Sequence, residues 1–275
     1  MSVEKTNSGD TASSSNWEHG SDDRFTAYYA QSSLSEATRE RFTALAEKIL
    51  RMLPEDVAAR KLEVADIGCG PGAQAAVWAQ KGHAVHGVDI NEPLIDIARA
   101  RAAEQKLDIE YLIGSATELP WGDASMDVVL LPELLEHVAD WRPCLEEAVR
   151  ILKPGGLLYL STSNTLCPVQ QEFSLPLYSW YPARAKRYFE HLAVTTKPEL
   201  VNHATYPAVN WFSFYGLRRE LAKHGMRVID RFEFNARTSS AGLRKAVFST
   251  IAALPPLRFL GQVATPYTLV IGTKS

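Results

Sequence analysis

The stretch Val64-Ala65-Asp66-Ile67-Gly68-Cys69-Gly70-Pro71-Gly72 decides the fold. The run Leu62 to Ile67 reads as a buried strand, three glycines follow within five residues, and Ala73 to Lys81 reads as a helix. Glycines between a strand and a helix let the backbone turn tightly and approach a ligand closely, because no Cβ holds it off. A nucleotide-like ligand is expected there. Gly68, Gly70 and Ala73 also satisfy a G-x-G-x-x-G/A pattern, and Asp89 stands about 20 residues on, where an acid can hold ribose hydroxyls. Taken alone, this pattern admits an NAD(P)-dependent oxidoreductase, although no Tyr-x-x-x-Lys constellation accompanies it.

Outward from the loop, the chain continues with Ala84 to Ile90 (strand), Glu92 to Gln105 (helix) and Ile109 to Ile113 (strand). Met126 to Leu131 and Leu157 to Ser161 are further apolar runs, separated by a helical stretch that stops at Lys153-Pro154-Gly155-Gly156. Continuous apolar strands joined by helices predict a parallel sheet covered on both faces. Upstream, Phe42, Leu45, Ala46, Ile49, Leu50 and Leu53 recur at helical spacing within Arg24 to Leu53, and Ser35-Glu36 resembles a helix start. Downstream, Asn164 to Pro207 lacks a regular period and is long for a connection, which predicts an inserted lid. Asn210 to His224 predicts an amphipathic helix, Met226 to Phe234 a strand, and Tyr267 to Thr273 a last strand after the apolar excursion Ala241 to Leu260.

The 275 residues are 46% hydrophobic and 22% charged, which excludes wholesale disorder and fibrous repeats. Lysine plus arginine is 29 against 32 acids, a net charge of -3, so no nucleic-acid partner is expected. Cys69, Cys144 and Cys167 are widely spaced and predict neither a disulfide framework nor a thiolate zinc site, which fits a reducing cytoplasm. The N-terminus MSVEKTNSGDTASSSNWEHGSDD has no apolar core of a signal peptide and reads as a flexible tail over 1–22. Val247 to Leu260 is broken by Ser249, Thr250, Pro255, Pro256 and Arg258, so no spanning helix is expected. Residues 23–275 are expected to form one domain, with the lid at about 164–208 and an apolar cap segment at about 241–262.

The fuller pattern Asp66-x-Gly68-x-Gly70-x-Gly72 resembles motif I of the class I S-adenosylmethionine-dependent methyltransferases. The resemblance continues through Gly114-Ser115-Ala116-Thr117-Glu118-Leu119-Pro120-Trp121, Met126-Asp127-Val128-Val129, Leu135-Glu136-His137-Val138 and Leu152-Lys153-Pro154-Gly155-Gly156, covering roughly Leu62 to Ser163. It implies a Rossmann-like α/β fold, with a mainly parallel sheet of seven strands, helices on both faces and the inserted lid. It also implies S-adenosylmethionine as cofactor. Asp66, Gly68, Cys69, Gly70 and Gly72 would form the loop at its methionine end, Asp89 and Ile90 would meet the ribose, and Ser115, Ala116 and Leu131 would line the rest. Ser115 departs from many relatives, which carry aspartate there, though a serine can still accept a hydrogen bond. Cys69 reads as a small buried filler without redox work, and Tyr28 and Tyr29 either close over the cofactor or pack.

A helix over Pro132-Glu133-Leu134-Leu135-Glu136-His137 would place Glu133, Glu136 and His137 at i, i+3 and i+4, within about 100° of arc. The stretch resembles the Glu-x-x-Glu-His of the ubiquinone-biosynthesis O-methyltransferases and of small-RNA 2′-O-methyltransferases, where it is associated with a divalent metal. Two readings stand. In one, Glu133, Glu136 and His137, with His203 or His191 completing the set, hold Mg²⁺ or Zn²⁺ and lower the pKa of an acceptor hydroxyl. In the other, His137 is a general base or lines the cofactor pocket.

The insertion interleaves Phe173, Leu175, Leu177, Tyr178, Trp180, Tyr181, Tyr188 and Phe189 with Arg184, Lys186 and Arg187. This composition suits a small hydrophobic acceptor, phenolic, prenylated or lipid-like, met by peripheral contact at the inner face of a membrane, and it equally suits rings that pack the lid. The expected reaction is O-methylation, with N- or C-methylation as the alternative within the class.

Overall fold

The computed structural model describes residues 35–201 and 208–275. Expectations placed on 1–22, the start of the N-terminal helix, Tyr28, Tyr29 and His203 lie outside the described residues. The first described element, α1 (Glu36–Leu50), starts where Ser35 Oγ accepts the N–H of Thr38 at 3.2 Å. After the short α2 (Glu55–Ala58), the chain alternates through β1 (Glu63–Ile67), α3 (Ala73–Gln80), β2 (Ala84–Asp89), α4 (Glu92–Glu104), β3 (Ile109–Ile113), β4 (Met126–Pro132), α5 (Trp141–Ile151) and β5 (Leu152–Ser163). The remaining elements are α6 (Ala183–Thr195), α7 (Phe214–Lys223), β6 (Met226–Asp230), α8 (Arg231–Thr238), α9 (Leu243–Ala253), α10 (Pro255–Val263) and β7 (Tyr267–Lys274).

One seven-stranded sheet takes the order β3-β2-β1-β4-β5-β7-β6. Every pairing is parallel except those of β7, which runs antiparallel to β5 and β6. Alternation along the strands sends side chains to two cores. Ala65, Ile67, Val129, Leu131, Leu158 and Leu160 meet α5 and α7 on one face. Val64, Val128, Leu130, Leu157 and Tyr159 meet α1, α3, α4 and Phe234 of α8 on the other. A sheet covered twice explains why these strands are apolar throughout. Strand order reverses between β1 and β4, so the crevice beyond their C-terminal ends is the place where such sheets bind ligands.

The downstream elements correct the sequence reading in three places. Met226 to Phe234 is a strand only as far as Asp230, because Asp230 Oδ1 accepts the N–H groups of Phe232 and Glu233 at 3.1 and 3.0 Å and caps a helix there. The insertion is structured over its described part: it holds 3₁₀ turns at Tyr178–Trp180 and Pro198–Leu200, the helix α6, and a cluster of Phe173, Tyr178 and Ala193. The second excursion folds into α9 and α10, broken at Pro255.

Candidate active site

After β1 the backbone turns through Gly68, Gly70 and Gly72 with φ of 72°, 49° and 79°, left-handed values that favour glycine. The N–H groups of Gly68 and Cys69 both donate to Val88 O, at 2.8 and 3.1 Å. Gly70 N–H donates to Asp89 Oδ2 at 2.8 Å, and Asn91 N–H donates to Oδ1 of the same carboxylate at 2.8 Å. A carboxylate can accept about four hydrogen bonds, so this one keeps acceptor capacity for a further donor. A Cβ on Gly72 would overlap the Tyr111 hydroxyl, and one on Gly68 would stand 2.9 Å from Leu134 Cδ1. The loop after β1 therefore lies directly against the turn after β4.

Asp66 is 1% exposed, and neither of its carboxylate oxygens has a hydrogen-bond partner. Burial, and then the neighbouring Asp89 charge, push its carboxyl up to about 7, against the pull of the Ala75 amide. Asp89 is also raised by burial, against the pull of the amides of Asn91, Gly70 and Ile90. On the first turn of α3, buried Gln74 likewise has neither side-chain polar atom paired. Unpaired polar groups inside a protein cost free energy unless a partner completes them. A ligand with a cationic, hydrogen-bonding end supplies such a partner, so these residues fit the cofactor implied by the motif.

The other residues of that expectation surround the same strand ends. Ile90 is about half exposed beyond Asp89, and Gly114 N–H donates to Asp89 O at 3.0 Å. Ser115 and Ala116 follow at partial exposure, with Ser115 Oγ 2.8 Å from Thr117 Oγ1. Burial pushes the Cys69 thiol well up, in keeping with a filler, and Leu131 is fully buried in the core on the α5 side.

The helix expected over Glu133 to His137 does not form. Glu133 takes φ 52° and donates its N–H to Ser161 O at 2.8 Å, and the chain then closes a turn in which His137 N–H donates to Leu134 O at 3.0 Å. The carbonyls a helix would use are occupied from elsewhere. Asn210 Nδ2 donates to Leu135 O and Val138 O at 3.0 and 2.6 Å, and Glu136 O accepts from Val209 N and Asn210 N at 2.8 and 3.1 Å. As a result the three side chains do not share a helix face. Glu133 is exposed, His137 is partly buried, and Glu136, fully buried, accepts a 2.7 Å hydrogen bond from Thr162 Oγ1. Among the described residues no group of three His, Cys, Asp or Glu is arranged to hold a metal ion, so the expected ligand set does not fit. His191 lies on α6.

Glu136 belongs instead to an acidic group that the insertion completes. Burial raises its carboxyl to about 8, with Glu172 and Glu133 adding to the effect. Glu172, from the insertion, is pushed up to about 7 by burial and by Glu133. Tyr267, at the start of β7, is raised by burial and by Glu133, Glu172 and Glu136, and its hydroxyl donates to Gln171 Oε1 at 2.7 Å. Sequence reading missed Gln74, Glu172, Asn210 and Tyr267. A glutamine among the alanines of α3 was a signal for the first; the others gain their roles only from tertiary contacts.

Comparison with known proteins agrees with this geometry. A methyltransferase domain model matches residues 65–160. A ubiquinone biosynthesis O-methyltransferase of Brucella anthropi is 31% identical over 201 residues, which cover 70% of this chain and 72% of that protein. One of Caulobacter vibrioides is 40% identical over 129 residues, 45% of this chain and about half of the relative, 51%. Among solved structures, a protein of Pyrococcus horikoshii OT3 superposes with a TM-score of 0.56 at 15% identity, covering 93% of this chain and all of that one. The magnesium protoporphyrin IX methyltransferase of Synechocystis PCC 6803, solved with S-adenosylmethionine bound, gives 0.52 at 15% identity, covering 92% and 90%. Sheet order, glycine loop and acid define the class I S-adenosylmethionine-dependent methyltransferase fold. Within that class the chain belongs to the family that includes the ubiquinone biosynthesis O-methyltransferases.

Proposed function

We propose that this protein transfers the methyl group of S-adenosylmethionine to an oxygen of a small hydrophobic acceptor. The observation that carries the reading is the clamp of Gly70 and Asn91 on Asp89, set beside the buried, unpartnered carboxylate of Asp66. In it, Asp89 accepts the ribose hydroxyls, the Gly68–Gly72 loop lets the backbone approach the methionine end, and Asp66 faces the cationic end. Ser115 and Ala116, beyond β3, flank the adenine. When bound, the cofactor supplies a methyl group on a positively charged sulfur, which departs as a neutral thioether once the acceptor oxygen has bonded to the methyl carbon. The chain's own work is alignment and proton removal. His137, on the turn facing the glycine loop, takes the acceptor's hydroxyl proton as general base. The described donors do not compose a metal site.

The relatives' names point to a hydrophobic acceptor, and such molecules reside in bilayers, so the setting proposed is the cytoplasmic face of a membrane, with the insertion as a lid over the acceptor. One observation favours a second reading. The buried carboxyls of Glu136 and Glu172, both raised by burial and by Glu133, would gain an ionising partner in an amine acceptor, hence N-methylation. The test is calorimetric titration with S-adenosylhomocysteine and, in parallel, NAD, followed by methyl transfer to a panel of phenols and amines. Binding of S-adenosylhomocysteine alone, lost in Asp89→Ala, with turnover of phenols, supports the first reading. Turnover of amines only supports the second, and binding of NAD instead overturns both.

A further inference from the structure

The helices α9 and α10 present a continuous apolar surface that nothing among the described residues covers. Leu243 is 82% exposed and Leu260 60%, and Val247, Leu254, Leu257 and Phe259 are each close to half exposed. No residue of α9 is buried. Leu243 and Val247 lie one turn apart on α9 and Leu257 and Leu260 one turn apart on α10, with Leu254 at the bend between them, so these are paired helix faces rather than scattered residues. The opposite side of α10 is anchored. Arg258 Nε donates to Asp230 Oδ2 at 2.5 Å, Gln262 Nε2 donates to the same oxygen at 3.0 Å, and Gly261 lies so close to the Phe232 ring that a Cβ would overlap it. The apolar surface is thus held outward by a buried polar dock rather than left loose.

Charge narrows the choice of what covers it. From residue 234 to the C-terminus the sequence contains no aspartate or glutamate, while Arg244 and Lys245 sit on the first turn of α9. Neither has a carboxylate partner among the described residues, and Lys48 of α1, whose ammonium pKa is lowered by burial and then by Arg244, adds a further cation alongside. Length narrows it further. α9 has 11 residues and α10 has 9, meeting at a bend of 104°. At about 1.5 Å per residue neither approaches the roughly 30 Å of a bilayer's hydrocarbon layer. Two short, sharply bent helices with leucines and phenylalanine outward and cations beside them are suited to lying in an interface. The insertion is mixed: Phe173 and Tyr178 are buried and stacked at 3.9 Å, with Tyr181 and Trp211 against them, whereas Leu177, Trp180 and Tyr188 stay half or more exposed.

We infer that the α9–α10 hairpin is a surface by which this protein seats on an anionic lipid bilayer. This deepens the reading of a bilayer-resident acceptor, but its readout does not depend on turnover. The test is flotation of the purified full chain with vesicles of phosphatidylcholine alone or mixed with phosphatidylglycerol, across a salt series. Three chains are compared: the parent, Leu243→Glu/Leu260→Glu, and Arg244→Ala/Lys245→Ala. The expected result is binding to the mixed vesicles that weakens with salt, is abolished in the leucine variant, and falls roughly thirtyfold in the charge variant, at about fivefold per cation. Circular dichroism and S-adenosylhomocysteine affinity should match the parent in both variants, since neither pair touches the glycine loop. The inference is overturned if the parent floats with neither vesicle, or if the leucine variant floats as the parent does. It is also overturned if light scattering shows a parent dimer that the leucine variant converts to monomer, because a second copy then covers these faces. Loss of S-adenosylhomocysteine binding in the parent would instead count against the cofactor reading and leave the flotation result standing.

Discussion

The amide of Gly70 donates to the Oδ2 of Asp89 at 2.8 Å, which ties the glycine loop after β1 to the last residue of β2. One carboxylate thereby fixes the loop's shape and, through its remaining lone pairs, offers acceptors to a ligand. Asp89→Asn keeps the size but gives an amide N–H₂ at one of two positions that now face backbone donors. A hydrogen bond to a charged group contributes about 1.5–3 kcal/mol, so S-adenosylhomocysteine affinity should fall by roughly 10- to 100-fold in calorimetric titration. An unchanged affinity would remove Asp89 from the site.

Gly72 separates backbone strain from crowding. Its φ of 79° and the Tyr111 hydroxyl beside it both oppose a side chain, whereas Gly82, at φ 89°, has nothing within 4 Å of where a Cβ would stand. Gly82→Ala should cost about 1 kcal/mol from backbone strain alone, and Gly72→Ala about 2 kcal/mol more from overpacking. Paired chemical denaturation of the two variants measures the difference, and equal losses would show that Tyr111 moves aside freely.

Asp66 makes cofactor affinity depend on pH. Its carboxyl is pushed up to about 7 by burial and by Asp89, so ionisation, which the cationic end of the cofactor favours, is incomplete at neutral pH. Binding should release a proton, and affinity for S-adenosylhomocysteine should rise as pH climbs from about 6 to 8. Asp66→Asn should bind more weakly at pH 8 and lose that slope. A parent whose affinity is flat over this window would contradict the placement of Asp66 at the cationic end.

What could be read from the sequence was what short-range physics dictates. The glycines, the acid at Asp89, the cap at Ser35 and the strands through Ser163 depend on neighbours within a few residues or on apolar runs, and they stand where expected apart from their ends. The Glu133 to His137 stretch was misread because the groups that decide it are distant. Asn210 takes the carbonyls of Leu135 and Val138 from 75 and 72 residues along the chain, which no local pattern shows. Phe232 and Phe234 fit a strand by alternation, but the carboxylate of Asp230 captures two amides and starts a helix. Glu172 carries no local signal and joins the acidic group only because the insertion folds beside Glu133.

Glu136 links that acidic group to stability. Its carboxyl is held at about 8 in the folded chain by burial, against 4.5 for an ordinary glutamate, so between those values the folded state binds a proton that the unfolded state does not. Stability therefore declines as pH rises through this window: the contribution is fully present below about 4.5 and is lost as pH passes 8. Glu136→Gln cannot ionise, and its side-chain oxygen can still accept the 2.7 Å bond from Thr162 Oγ1. The variant should lie close to the parent at pH 5 and exceed it by on the order of 4 kcal/mol at pH 9, measured by denaturant unfolding at each pH. Glu136→Ala, which leaves Thr162 without its acceptor, should be less stable than Glu136→Gln at both pH values. Parallel pH curves for the parent and Glu136→Gln would show that the buried carboxyl is already ionised at neutral pH, and that the fold pays for the charge by some route other than protonation.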